Sequence, residues 1–235
     1  MVTVVFLHGL FGRPADFTPV RALLPERFQT LAPELPIASG RGDATSIDEL
    51  VEYVKGELDA SGSGRFVLVG NSLGGHVAIR MALWLPDRIA GLVLAGSSGL
   101  FERGLESGVP RHPDRDWVKG KIAEVFHDPS FVTDALVDET HDVLRDQRRY
   151  LALVRVARSA KQENLGGVLP GLTAPTCLLW GAEDRITPPG TAREFEKLLP
   201  RARLLFLPGC GHAPMIEKVQ ETAGAYLAFI NSVGN

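Results

Sequence analysis

Short runs of apolar and β-branched residues alternate along the chain with longer segments whose apolar residues recur at helical spacing. This alternation is typical of a parallel β-sheet wrapped by helices. Several runs are apolar at successive positions, as expected for strands that are buried on both faces. The predicted strands are residues 3–7, 28–32, 65–69, 89–95, 176–180 and 202–207. The predicted helices are residues 16–24, 47–58, 73–85, 191–199 and 217–231.

One block, residues 99–171, contains no convincing strand and interrupts the alternation. It carries helical stretches at residues 117–126, 132–144 and 148–161. We predict that residues 1–98 and 172–235 form one α/β core and that residues 99–171 form a helical lid over the strand ends. An additional helical layer, unrelated to access, is the alternative.

The composition is that of a chain that can bury a core, because 45% of its 235 residues are hydrophobic and 23% are charged. A net charge of −3 provides no broad basic field, so composition does not favour nucleic acid or an anionic membrane as a partner. No apolar stretch approaches the roughly 20 residues that span a bilayer, and the first residues lack the pattern of a signal peptide. Cys177 and Cys210 lack metal-binding spacing, which favours a reduced, cytoplasmic protein without a metal site.

The motif Gly70-Asn71-Ser72-Leu73-Gly74 matches G-x-S-x-G and lies between a predicted strand and a predicted helix. In that context the motif forms a sharp turn that exposes the serine hydroxyl at the edge of the sheet. The flanking glycines leave room for neighbouring backbone, and the start of a helix favours a developing anion. The sequence therefore predicts Ser72 as a nucleophile, whereas the same motif elsewhere is an ordinary glycine turn.

A serine nucleophile needs a base, and a histidine base needs a third group that fixes its tautomer. Both candidates follow predicted strands and come after the serine in the chain, which is the order expected for this turn. Asp184 ends Gly181-Ala182-Glu183-Asp184, and His212 ends Gly209-Cys210-Gly211-His212. We predict His212 as the base and Asp184 as its orienting acid, with Glu183 as the direct competitor of Asp184.

Acyl transfer also needs N–H donors for the oxyanion, each of which contributes about 3–4 kcal/mol. The predicted donors are Leu73, directly after the nucleophile, and Leu10, in the loop after the first strand. His8 is expected to brace that loop, and His76 is a weaker candidate for shaping the site. The predicted substrate contacts, for which plain core packing is the alternative, are Phe11, Asn71, Trp117, Phe126, Phe131 and Tyr150.

Four segments together resemble the α/β-hydrolase superfamily over nearly the whole chain: residues 8–9, 70–75, 181–184 and 209–214. The Gly-Asn-Ser segment is similar to that of the meta-cleavage-product hydrolases, which split carbon–carbon bonds, and lidded esterases and lactonases share most features. Those carbon–carbon hydrolases usually carry tryptophan after the catalytic histidine, where this chain has Ala213, and a more glycine-rich oxyanion loop. The resemblance therefore favours a carboxylic-ester hydrolase that acts on a small-molecule ester and needs no metal or organic cofactor. The alternatives are carbon–carbon or lactone hydrolysis, a lyase or cofactor-free oxygenase, and a non-catalytic ligand-binding protein.

The superfamily usually has two strands before the one that ends in His-Gly, and this chain has none. We therefore predict an all-parallel sheet of six strands in which residues 28–32 form an edge. Because an edge strand exposes unpaired backbone groups, we expect it to be short, covered, or paired with another subunit in a homodimer.

Overall fold

The computed structural model describes residues 2–39, 42–62, 64–101, 110 and 113–234. In these residues six strands form one sheet: β1 (Val2–Leu7), β2 (Gln29–Leu31), β3 (Arg65–Asn71), β4 (Ile89–Ala95), β5 (Thr176–Gly181) and β6 (Ala202–Leu207). The spatial order is β2-β1-β3-β4-β5-β6, and every neighbouring pair is parallel. The predicted six-stranded parallel sheet is confirmed. Every residue of β1, β4 and β5 is buried, which accounts for their continuous apolar runs.

The edge strand β2 has three residues and pairs with β1 alone, through Gln29, Thr30 and Leu31. Of the three alternatives expected for this edge, short, covered or paired with another subunit, the three-residue length matches the first. Pro33, two residues after β2, has no N–H group and cannot donate to a continued ladder. A short edge leaves few backbone groups open to another strand.

The α-helices of the described residues are α1 (Thr18–Arg21), α2 (Ile47–Ala60), α3 (Leu73–Trp84), α4 (Arg115–Ala123), α5 (Asp134–Arg145), α6 (Gln147–Gln162), α7 (Pro189–Leu198), α8 (Pro214–Glu217) and α9 (Val219–Val233). Two predicted helices differ from these. The first, residues 16–24, is a 3-10 turn over Pro14–Phe17 followed by the single turn of α1, whose first turn contains a proline. The last, residues 217–231, is divided into α8 and α9 because Lys218 has φ −133° and ψ 57°, outside the helical region.

Helices α4, α5 and α6 lie between β4 and β5 in the chain, as predicted for the insertion. Residues 102–109, 111 and 112 of the predicted insertion lie outside the described residues. Buried Val118, Val137 and Val156 of the three helices belong to the same apolar cluster as the sheet. Helix α6 is also joined to α2, because Ile47 N–H donates to Ser159 Oγ at 3.0 Å. The role of the insertion as a lid stays a prediction.

The helices of the described residues include none that is long and apolar enough to span a bilayer. Cys177 and Cys210 are both free and buried. Burial raises the pKa of the Cys177 thiol to about 11 and that of the Cys210 thiol to about 12. Both thiols are therefore protonated at neutral pH and are weak nucleophiles.

Candidate active site

The turn between β3 and α3 holds Ser72 with φ 53° and ψ −119°. Among the described residues, Ser72 is the one non-glycine residue with a positive φ. Such a conformation costs about 1–3 kcal/mol and persists only where the surroundings impose it. Ser72 N–H donates to Ala95 O at 3.0 Å, and Ser72 O accepts from Ser98 N–H at 3.1 Å, so the end of β4 holds the turn. A Cβ on Gly70 or Gly74 would overlap nearby backbone, which explains both glycines of the motif.

The imidazole of His212 is paired with the carboxylate of Asp184, at 2.8 Å between Nδ1 and Oδ2. Both residues are buried, with exposures of 6% and 3%. Because a carboxylate accepts hydrogen bonds, this contact assigns the imidazole proton to Nδ1 and leaves Nε2 as an acceptor. Asp184 Oδ1 accepts from the N–H groups of Ile186 and Thr187 at 2.8 and 2.9 Å. The carboxylate is thus held on both oxygens, and it orients the imidazole.

Glu183, the competitor of Asp184, has a different partner. Its Oε2 accepts from Cys210 N–H at 2.9 Å, two residues before His212. The structure therefore brings Asp184, and not Glu183, into contact with the imidazole. Glu183 instead stiffens the loop that carries His212.

Thr187 is a site residue that the sequence reasoning missed. Its hydroxyl lies 2.9 Å from Asp184 Oδ2, 3.3 Å from His212 Nδ1 and 3.2 Å from Gly96 O. The buried indole of Trp180 holds the same residue by donating to Thr187 O at 2.8 Å. The sequence carried a signal for this residue. An Asp side chain often accepts from the N–H groups two and three residues later in a turn, and Thr187 is the third residue after Asp184.

Asn71 joins the nucleophile turn to the histidine loop. Its Nδ2 donates to Ala95 O at 2.9 Å and to His212 O at 3.0 Å. It was predicted to contact substrate, and it does line the cavity described below, but its amide N–H groups are committed to the protein. Gly96, directly after β4, also lets the His212 imidazole lie close to the sheet. Its φ is +53°, and a Cβ there would lie 2.8 Å from His212 Nδ1.

The loop after β1 is braced by His8, as expected. His8 Nδ1 lies 2.8 Å from Gly9 O, and Nε2 accepts from Leu35 N–H at 3.0 Å. Burial lowers the pKa of His8 below its usual value, so the imidazole is neutral at pH 7. The N–H of Leu10 has no hydrogen-bond partner among the described residues, and that of Leu73, at the first position of α3, has no partner within the helix. In the part of the chain that the structure describes, neither predicted oxyanion donor has a hydrogen-bond partner for its N–H group.

A cavity of about 860 Å³ opens at Ser72 and His212. Leu10, Leu73, Phe11, Trp117, Phe126 and Tyr150, all predicted site residues, also line it. Phe131 is not one of the described residues that line this cavity. Its ring packs on Phe126 at 5.7 Å between centroids, and it borders a separate small recess beside Pro129. Its predicted role as a cavity wall is therefore corrected to support of Phe126.

The cationic side chains of the cavity wall differ in their pairing. Arg13 is paired with Glu139 at 2.5 Å, and Lys121 with Glu124 at 2.7 Å. Arg149 is half-buried and donates from Nε to a backbone carbonyl, Ala38 O, at 2.6 Å. It has no carboxylate within 4.0 Å among the described residues. No signal in the sequence distinguished Arg149 from the other arginines of α6.

His76, the weaker candidate, is not among the described residues of the cavity wall. Its Nε2 lies 3.1 Å from Glu163 Oε2 at the end of α6, and this bond lowers the pKa of the Glu163 carboxyl. Arg80 also pairs with Glu163, so α3 is tied to the insertion. The described residues include no group of three or more His, Cys, Asp or Glu that could hold a metal ion.

The family comparison agrees with this architecture, since the model of the alpha/beta hydrolase family matches residues 4–225. The chain belongs to the alpha/beta hydrolase family. Membership of this hydrolase family supports a hydrolytic enzyme.

Relatives of different specificity are similarly close to this family member. A pimeloyl-[acyl-carrier protein] methyl ester esterase from Nitrosomonas europaea is 30% identical over 241 residues, covering 91% of this chain and 89% of that protein. A 2-hydroxy-6-oxononadienedioate/2-hydroxy-6-oxononatrienedioate hydrolase from Cupriavidus pinatubonensis is 31% identical over 232 residues, covering 89% and 80%. An alpha/beta hydrolase from a sediment metagenome of the Mar Chica lagoon superposes with a TM-score of 0.76 at 30% identity, covering 98% of this chain and 91% of that one. These relatives support hydrolysis without fixing the bond that is cleaved.

Proposed function

We propose that this protein hydrolyses carboxylic esters through an acyl-enzyme formed on Ser72. One observation carries the proposal: a strained serine turn and a buried histidine, itself paired with Asp184 at 2.8 Å, line the same cavity. The backbone conformation of Ser72 is energetically unfavourable, and such strained residues cluster at functional sites. A serine with its own base and orienting acid is the arrangement that nucleophilic acyl transfer needs.

In the proposed acylation, Ser72 Oγ forms a bond to the ester carbonyl carbon while its proton passes to His212 Nε2. The N–H groups of Leu10 and Leu73 stabilise the oxyanion. The tetrahedral intermediate then collapses, the bond to the alcohol oxygen breaks, and His212 donates the proton to the leaving alcohol. Asp184 stabilises the imidazolium in the interval.

In the proposed deacylation, His212 takes a proton from water, which attacks the acyl carbon. Collapse of the second intermediate releases the acid and returns the proton to Ser72. The apolar walls Phe11, Trp117 and Phe126 would receive the acyl or alcohol chain, with the insertion acting as a lid that excludes water.

The test uses p-nitrophenyl esters of increasing acyl length, with Ser72→Ala as the comparison. We expect hydrolysis by the wild-type protein, and in Ser72→Ala a decrease in kcat of at least about a thousandfold. A fluorophosphonate should add its mass to a peptide containing Ser72 and to no other peptide. Full turnover by Ser72→Ala would refute the assignment, and folded protein that neither reacts nor is labelled would favour a ligand-binding role.

Carbon–carbon hydrolysis is the second candidate, because the relative from Cupriavidus pinatubonensis is as similar as the esterase. The same Ser72 and His212 would serve, with a vinylogous 1,5-diketone in place of the ester. Ala213, where those hydrolases usually carry tryptophan, favours esters. A coloured dienoate ring-fission product compared with p-nitrophenyl butyrate separates the two by their relative kcat/KM, and a lactone substrate extends the comparison.

A further inference from the structure

The carboxylate of Glu217, the last residue of α8, accepts hydrogen bonds from three backbone N–H groups. Its Oε1 accepts from Gly211 at 2.7 Å, in the loop that carries His212. Its Oε2 accepts from His127 at 2.7 Å and from Asp128 at 3.1 Å, in the segment that follows α4 of the insertion. One side chain therefore connects the histidine loop to the insertion.

The two segments also touch directly. His212 N–H donates to Val125 O at 2.7 Å. A Cβ on Gly211 would overlap Val125 O and would lie 2.8 Å from the backbone nitrogen of His127. Two successive N–H groups, those of Gly211 and His212, are thus held by Glu217 and by the insertion itself. The position of the histidine backbone follows the position of residues 125–128.

The insertion segment is at the same time part of the cavity wall. Val125 and Phe126 line the same cavity as Ser72 and His212. A chain packed against Phe126 would restrict residues 125–128, and that restriction reaches His212 through Val125 O and the Glu217 carboxylate. Preorganised placement of a base matters because a displacement of about 1 Å can cost about a hundredfold in rate.

We propose that Glu217 is a positioning residue that couples the insertion to His212, so that substrate filling the apolar cavity improves the placement of the base. This inference rests on the proposed esterase function. It predicts that longer acyl chains raise kcat, and not only affinity, as long as Glu217 is intact.

The chemistry of the residue explains why a carboxylate stands here. Both of its oxygens only accept, which matches N–H donors on two sides. A glutamine has nearly the same shape but one acceptor, so its NH₂ group would face N–H donors on the histidine side or the insertion side. Glu217→Gln therefore breaks the connection with little change in packing.

Glu183→Gln is the matched control, because Glu183 Oε2 accepts from Cys210 N–H in the histidine loop. Glu183→Gln can keep its single bond through the amide oxygen, whereas Glu217→Gln cannot accept on both sides and disconnects the insertion from the histidine loop. The kcat and KM of each protein are measured with p-nitrophenyl acetate, whose acyl group stays beside Ser72, and with p-nitrophenyl octanoate. We expect the octanoate-to-acetate ratio of kcat to fall about tenfold in Glu217→Gln, with KM within about twofold, and to stay at the wild-type value in Glu183→Gln.

If Glu217→Gln lowers kcat equally for the acetate and the octanoate, the coupling is overturned. Glu217 would then support only the histidine loop and would not connect it to the insertion. Amide exchange gives a readout that does not need catalysis. In the wild type the protection factors of the Gly211, His127 and Asp128 amides, which correct each rate for its intrinsic value, should agree within about tenfold, as in one cooperative unit. Widely different protection factors overturn the proposal, even where Glu217→Gln does not fold. A wild-type protein that hydrolyses neither ester but shows common exchange would refute the proposed function and leave the connection standing.

Discussion

Replacing Gly96 by alanine tests whether the placement of the His212–Asp184 pair limits the rate. Gly96 has φ +53°, and a Cβ there would lie 2.8 Å from His212 Nδ1 and 3.1 Å from Asp184 Oδ2. The left-handed backbone costs an L-residue about 1–2 kcal/mol, and overlap with buried side chains typically adds about 1–3 kcal/mol. The lower entropy of the unfolded alanine chain offsets about 0.4–1 kcal/mol.

We therefore expect Gly96→Ala to lose about 2–3 kcal/mol of unfolding free energy, which lowers Tm by about 5–10 °C for a chain of this length. The imidazole is a rigid ring held by Asp184, so it must move by several tenths of an ångström. That movement should reduce kcat by about tenfold or more. Urea denaturation and p-nitrophenyl ester hydrolysis measure the two effects separately.

Gly62→Ala is the control, because Gly62 has φ +65° and a Cβ there meets nothing within 4 Å. It isolates the backbone cost, so we expect a loss of about 1 kcal/mol or less, with kcat within about twofold of the wild type. Equal stability and equal kcat in Gly96→Ala and Gly62→Ala would refute the expected overlap with the His212–Asp184 pair. A Gly96→Ala protein that is less stable but fully active would show that the pair tolerates displacement, which also contradicts the prediction.

Three further predictions concern single side chains. Tyr226→Phe should leave the unfolding free energy unchanged or raise it by about 1 kcal/mol in urea denaturation. The reason is that the buried Tyr226 hydroxyl has no hydrogen-bond partner among the described residues. A loss above about 1 kcal/mol would reveal a partner. Burial lowers the pKa of His8, so the unfolded state binds its proton more readily and stability should fall as pH drops below about 6.5. Unfolding at pH 7 and pH 5.5 should show a smaller decrease in His8→Asn, and an equal decrease would contradict this origin. Arg149→Met should lower kcat/KM about tenfold more for an ester with a terminal acyl carboxylate than for a neutral ester of equal length. Arg149 lines the cavity and has no carboxylate within 4.0 Å among the described residues. Equal losses would exclude an anion contact.

The sheet could be predicted from local sequence because parallel strands buried on both faces leave continuous apolar runs. Burial of every residue in β1, β4 and β5 is the physical origin of that signal. The edge position of residues 28–32 was also predicted, and β2 has three residues there. The turn at Ser72 was readable from its glycine motif between a strand and a helix. A Cβ on Gly70 would overlap Gly74 O inside that turn, whereas a Cβ on Gly74 would overlap Leu7 O at the end of β1, which is distant in the chain.

Local patterns were less informative where backbone geometry or packing interrupts a periodic segment. The apolar spacing of residues 217–231 continues through Lys218, whose φ of −133° ends one helix before the next begins. Phe131 is an aromatic residue of the insertion, as expected for a cavity wall, but its ring packs on Phe126 instead. Periodicity records which residues are apolar, and not which neighbour covers them.

The sequence by itself determined the positions of the six strands along the chain, the serine turn and the two loops that carry Asp184 and His212. Tertiary structure alone decided that Asp184 and not Glu183 meets the imidazole, and that Glu217 spans the histidine loop and the insertion. The reason is physical: apolar runs and turn motifs are patterns of near neighbours in the chain, whereas a carboxylate accepts from whichever donors the folded loops bring within about 3 Å.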